Sequence, residues 1–266
     1  MSLLDKLDTS PLEVTEIGID QAYATAMFEI PASRARAWMG LVHLGNPLEQ
    51  TGSGLIFPIE HERWIVSIGR LHGGELPEEI EGLKAFVKAF RTPTFFDAIK
   101  GARQVGEIAR YNMPASVRRR FDRFERFHSG MIPLGDSVCR FNPIFGQGMS
   151  VAAQEAVVLN RLLDSRCDQA APLDGLAQDY LSGIQNLLEA PWAVALTDFV
   201  YPQTRGARPP DLEKRLQYGA ALTRLAAEDP KTHRIVIEVR HLIRPQSALR
   251  EPELARRVAA LMQPVA

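Results

Sequence analysis

Residues 131–149 gather the groups best suited to ligand chemistry: Gly135 and Asp136, then Phe141-Asn142-Pro143, then Gly146-Gln147-Gly148-Met149. A carboxylate at Asp136 can accept hydrogen bonds from sugar-like hydroxyls. Gly146 and Gly148 permit unusual φ values and close backbone approach. The amides of Gln147, Gly148 and Met149 would open a helix, where unpaired N–H groups and the helix dipole favour a ligand atom with partial negative charge. One ligand could use both features. A plainer reading uses the same residues: an Asp capping a tight turn between strand and helix. Gly-Asp or Gly-x-Gly alone does not separate the two.

Such a site needs a strand to deliver Asp136 and a helix to carry the amides. Met131 to Leu134 is a continuous apolar run, which predicts a strand buried on both faces of a parallel sheet. Ligands bind beyond the carboxyl ends of such strands. The helix after Gly148 carries Ala152, Ala153 and Ala156 with Val151, Val157, Val158 and Leu159. It is apolar nearly all round, which predicts burial.

Upstream, the pattern is antiparallel β. Tyr23 to Ile30 and Trp38 to Leu44 are β-prone runs flanking a polar connection at Pro31 to Arg36. Gly54 to Ile59 and Arg63 to Gly69 flank the turn Glu60-His61-Glu62, the clearest hairpin in the chain. Leu55, Phe57 and Ile59 fall on one face, and Trp64, Val66 and Ile68 are expected to form the matching stripe. That stripe suits a sheet core, and also a hydrophobic chamber. Pro58 weakens its strand or marks an edge. Helical spacing then runs from Ile80 to Phe90, with a short helix at Thr94 to Ile99, and Val105 to Met113 reads as a strand stopped by Pro114. Arg118 to Phe127 interleaves five arginines with Phe121, Phe124 and Phe127, an amphipathic stretch with a solvated basic face. Beyond Gly148 the chain is helical, with further helices at Leu173 to Ala190, Asp198 onward, Leu212 to Ala227, His233 to Ile243 and Leu254 to Met262, punctuated by prolines such as Pro191.

Composition bounds the function. The formal charge is −1, from 31 basic and 32 acidic residues, which gives no electrostatic case for nucleic acid or an anionic membrane. Cys139 and Cys167 make no disulfide framework and fit a reducing cytoplasm. The six histidines show no metal-ligand spacing. No apolar run approaches membrane-spanning length, and Asp5 and Asp8 break the N-terminal run, so no signal peptide is expected.

The run from Leu134 through Gly-Asp-Ser and Phe-Asn-Pro-Ile-Phe-Gly-Gln-Gly-Met-Ser-Val-Ala-Ala-Gln-Glu to Ala156 resembles the second flavin motif of FAD-dependent aromatic hydroxylases and related monooxygenases. This is the family of p-hydroxybenzoate hydroxylase and the polyprenyl-methoxyphenol-hydroxylase-like oxidoreductases. The resemblance implies an α+β chain, an α/β remnant matching the C-terminal part of a flavin hydroxylase fold. Residues 13–114 would be the antiparallel substrate-covering sheet, 115–165 the residual flavin-binding strand, loop and helix, and 166–266 a helical region. It implies that Asp136 bonds the ribityl chain of FAD while Gly135 lets the backbone turn. Pro143 would lie beside the isoalloxazine ring. The amides around Gly146, Gln147, Gly148 and Met149 would face its pyrimidine edge, and Phe141 and Asn142 would line the substrate chamber. Cys139 would be a small buried filler. The implied chemistry is the cofactor's: NAD(P)H reduces FAD, O₂ is activated, and oxygen passes to an apolar aromatic or olefinic small molecule by hydroxylation or epoxidation. No residue is identifiable as catalytic; Tyr111 is a candidate by type only.

One departure qualifies this. Members open with a strand, a Gly-x-Gly-x-x-Gly turn and a helix that hold the FAD pyrophosphate. No such motif occurs here: Gly52/Gly54 and Gly73/Gly74 have the wrong spacing. A family Asp-Gly pair before Ser and Arg is also absent, and Met1 aligns just after it, with Ser2 to Leu7 resembling the helix that follows. Three readings stay open: a monooxygenase whose N-terminal part lies outside this sequence, a split enzyme with a nucleotide-binding partner chain, or a non-catalytic small-molecule-binding module.

Overall fold

The computed structural model describes residues 11–30, 38–45, 52–125 and 127–262. The expected helix at Ser2 to Leu7 and the polar connection at Pro31 to Arg36 lie outside these residues. The described elements are β1 (Val14–Glu29), β2 (Leu41–His43), β3 (Ser53–Ile59), β4 (Arg63–Arg70), α1 (Ile80–Lys88), α2 (Thr94–Ile99), β5 (Gln104–Arg119), β6 (Cys139–Arg140), α3 (Gly148–Asp164), α4 (Leu176–Gly183), α5 (Gln185–Ala195), α6 (Leu212–Glu228), α7 (Pro230–Arg240) and α8 (Pro252–Met262). The strands pair in the order β2-β3-β4-β1-β5-β6. The chain divides into two compact units: residues 1–17, 116–200 and 205–266 form the first, and 18–115 with 201–204 the second.

The second unit is the antiparallel sheet with α1 and α2 on one face. Period-two alternation along β1 turns Ala24, Ala26 and Phe28 inward, where they meet Ile56, Val66, Ile68, Leu83, Val87 and Phe95. The hairpin forms at the expected turn, but its faces differ from the expected ones. The register pairs Gly54 with Ile68, Ile56 with Val66 and Pro58 with Trp64. Thus Gly54, Ile56 and Pro58 share the buried side with Trp64, Val66 and Ile68, while Phe57 is 42% exposed. The three-residue turn sets this register, and a shift of one residue exchanges the faces. Gly54 leaves room for the helices: a Cβ there would lie 2.8 Å from Phe95 and 3.0 Å from Phe90.

Strand β5 does not stop at Pro114 but continues to Arg119. Its partner β6 pairs only with Val117 and Arg118, so at Pro114 that edge of β5 has no described ladder to lose a hydrogen bond from. The basic face expected from Arg118 onward is not fully solvated. Residues 121–123 form a single 3₁₀ turn. Arg118 is only 6% exposed, donating to Gln185 and Glu189 at 3.2 and 2.8 Å.

In the first unit, residues 131–134 belong to no described strand, so the expected parallel-sheet strand is not formed there. Helix α3 is also not buried. Val151 and Glu155 point inward, whereas Met149 is 89% exposed and Val157 and Leu163 lie open. The expected helix Leu173 to Ala190 is two helices meeting at Ile184, and Pro191 lies inside α5 rather than ending it. Helices α6, α7 and α8 share a small core of Leu222, Leu225, Leu254 and Val258. Asp229 caps α7, accepting from Lys231 N at 3.1 Å. Among the described residues no helix is long and apolar enough to cross a membrane.

Gly54→Val tests the register. Its side chain meets two aromatic rings, so thermal unfolding should register a loss of about 1–3 kcal/mol. Leu55→Val, on the opposite face, should cost less; equal losses contradict the assignment of faces.

Candidate functional site

The candidate site is built in the first unit on the turn Gly135–Ser137 and the N-terminus of α3. Leu134 is extended (φ −142°, ψ 150°) and Gly135 enters the left-handed region (φ 60°). That reversal is open to glycine at little cost. Beneath it, the Gly135 amide donates to Glu155 Oε2 at 2.6 Å. Glu155 is buried on the inner face of α3. Burial pushes its carboxyl up from the ordinary range, and the Gly135 amide and the Tyr180 hydroxyl oppose that rise. From the side, Arg119 Nη1 donates to the carbonyls of Asp136 and Ser137 at 3.1 and 3.3 Å.

This frame sets Asp136 beside the start of α3: a Cβ on Gly148 would lie 4.0 Å from Asp136 Oδ1. Asp136 is exposed, and its carboxylate makes no hydrogen bond to a described residue. The N-cap of α3, Gln147, forms no side-chain cap bond either. Neither feature matches an Asp spent on capping the helix. Gly146 is left-handed (φ 66°), and a Cβ there would meet nothing within 4 Å. The loop therefore presents an acceptor, two glycines and unspent helix amides on one open surface, which fits a ligand with hydroxyls and an electron-rich edge. Pro143 and Met149 are exposed on the same loop.

Phe141 and Asn142, expected at a chamber wall, are buried in the first unit. Asn142 Oδ1 accepts from Ile144 N at 3.2 Å, holding the turn Pro143–Phe145. Its Nδ2 donates to Asp198 at 3.2 and 3.4 Å. Burial pushes Asp198 up to about 7, with the Asn142 bond opposing. The side chain of Gln147 is buried as well, donating to the carbonyl of Arg240 at 2.9 Å. Cys139 is a buried filler whose thiol burial pushes up to about 12, far from a thiolate at neutral pH. Tyr111 is exposed in the second unit. Sequence reasoning missed Arg119, Glu155 and Asp198. Glu155 had a signal: a carboxylate one turn from Val151 on an otherwise apolar helix. Among the described residues no cluster of three or more His, Cys, Asp or Glu could hold a metal ion.

Two solved flavoproteins share this fold. The flavin-dependent brominase Bmp2 superposes with a TM-score of 0.56 at 15% identity, over 86% of this chain and 52% of that one. The flavoprotein/dehydrogenase from Cytophaga hutchinsonii gives 0.56 at 10% identity, over 96% and 56%. The fold is that of the C-terminal part of a flavin hydroxylase. Protein Rv3254 of Mycobacterium tuberculosis is 32% identical over 155 residues, which are 58% of this chain and 32% of that protein. The chain thus spans about a third of the curated relative it matches and about half of these flavoenzymes. No family model matches it.

Asp198 gives a pH test. It holds its proton in the folded state up to about pH 7, whereas an ordinary Asp loses it near 3.8. The folded state therefore binds more protons in that window, and the stability contributed falls as pH rises through it. Asp198→Asn should remove the slope, gaining about 4 kcal/mol on the wild type between pH 4 and 8 in chemical unfolding. Parallel pH curves for the two proteins contradict the assignment.

Proposed function

We propose that this chain carries the flavin-ring and ribityl half of an FAD site in a monooxygenase. The observation that carries the reading is the unspent Asp136 carboxylate beside the open N-terminus of α3, on a fold shared with flavoenzymes. Asp136 accepts hydrogen bonds from the ribityl hydroxyls, and Gly135 allows the turn that presents it. The amides of Gln147, Gly148 and Met149 face the pyrimidine edge, with Gly146 permitting close approach. The α3 dipole stabilises negative charge that develops there. Pro143 borders the ring. Glu155 and Arg119 position this loop without touching the cofactor. When bound, FAD supplies electron transfer from NAD(P)H and the activation of O₂ for hydroxylation or epoxidation of an apolar small molecule. The sheet unit would cover that substrate.

Two surfaces support a further nucleotide-binding segment, in the same polypeptide or a partner chain. The exposed positions Met149, Ala153, Ala156 and Val157 recur at helical spacing along α3. The apolar residues 131–134, with Leu134 extended, have no described ladder partner. Added strands and a helix would cover both.

Titration of the purified chain with FAD and with riboflavin, followed by flavin fluorescence, tests the reading. Both should bind with comparable affinity, because the residues named here contact only what the two share. Asp136→Ala should weaken both about tenfold. No binding, or equal affinity in the variant, contradicts the proposal.

A further inference from the structure

The helical part of the first unit contains a cavity of about 560 Å³ that the flavin reading leaves unused. Its walls are mostly apolar and small: Phe145, Ala190, Val194, Ala226, Ile237 and Leu249 contribute to them. Alanines at 190 and 226 leave space where larger side chains would close it. The titratable lining residues are His233 and Arg240, both basic and both on α7; no carboxylate lines the cavity. They lie seven residues apart, with Ile237 between them, which puts all three on one helix face.

Arg240 contributes its backbone, not its side chain, to the described hydrogen bonding. Its backbone carbonyl accepts from Gln147 Nε2 at 2.9 Å, which ties down the last turn of α7. Its exposed guanidinium makes no hydrogen bond or ion pair with a described residue. The nearest acid in sequence, Glu238, is committed elsewhere, to Arg234 at 2.8 Å and Arg244 at 2.6 Å. A cationic ligand would face two basic groups with no acceptor charge opposite. A neutral apolar ligand would fill the walls and leave the guanidinium unused.

We propose that this cavity binds an amphipathic carboxylate, with an aromatic or aliphatic body against the apolar walls and its carboxylate on Arg240. The planar guanidinium matches a carboxylate with two parallel hydrogen bonds, and His233 stands about two turns back along the same face. Gln147 links the cavity to the loop before α3, but the binding stands independently of whether that loop holds a flavin.

Calorimetric titration of the full chain with 2-naphthoate and with neutral 2-naphthol tests this. Naphthoate should bind one-to-one and about tenfold tighter than naphthol. Arg240→Gln, at an exposed position, should erase that preference while leaving naphthol binding unchanged. Ala227→Trp, which fills the cavity from α6, should abolish binding of both. The proposal is overturned if naphthoate does not bind, binds no tighter than naphthol, or keeps its preference in Arg240→Gln. Should Ala227→Trp fail to fold, the Arg240→Gln comparison decides alone.

Discussion

One hydrogen bond organises the site: the Gly135 amide to the buried carboxylate of Glu155. Gly135 reverses the chain into the left-handed region, and an amide turned inward there must find an acceptor or lose its hydration without compensation. Glu155 supplies the acceptor from the inner face of α3. The turn and the helix are thereby locked to each other, and Asp136 is brought beside Gly148. Arg119 fixes the outer carbonyls of the same turn. Burying Glu155 is costly for its charged form, which is why its carboxyl titrates high. The site thus rests on a group that contacts no ligand.

The loop between turn and helix is held in a similar way. Asn142 caps the Pro143–Phe145 turn with its carbonyl and uses its amide on Asp198. Gln147 anchors to α7 through its side chain while its backbone opens α3. Buried polar side chains therefore fix the backbone and leave the glycines, Pro143 and Met149 at the surface. Each is a local rule broken with a partner in place, as expected where a backbone must be held open.

Much of this was legible in the sequence. The hairpin followed from a polar three-residue turn between two alternating runs, and α1, α2 and α6 followed from helical spacing. The glycine-rich loop opening α3 was readable because Gly146 and Gly148 have few other uses there. Three things were not. The apolar run 131–134 looks like a buried strand, but a strand exists only through its partners, and sequence does not state whether they are near. The apolar composition of α3 likewise predicted burial that the described residues do not provide. The inward roles of Asn142, Glu155 and Asp198 depend on contacts across 20 to 56 positions of chain, which no local window reports. The hairpin faces were misread for a related reason: Leu55 and Phe57 are larger than Gly54, yet the glycine faces the core because aromatic rings fill its place.

The central claim is that one ligand meets Asp136 and the first amides of α3 together. Backbone amide chemical shifts of the isotope-labelled chain, recorded as riboflavin is added, test it most directly. The account predicts perturbations concentrated at residues 135–137 and 146–149, with the α6–α8 bundle unmoved. Shifts centred elsewhere, or perturbation of one segment without the other, would contradict it.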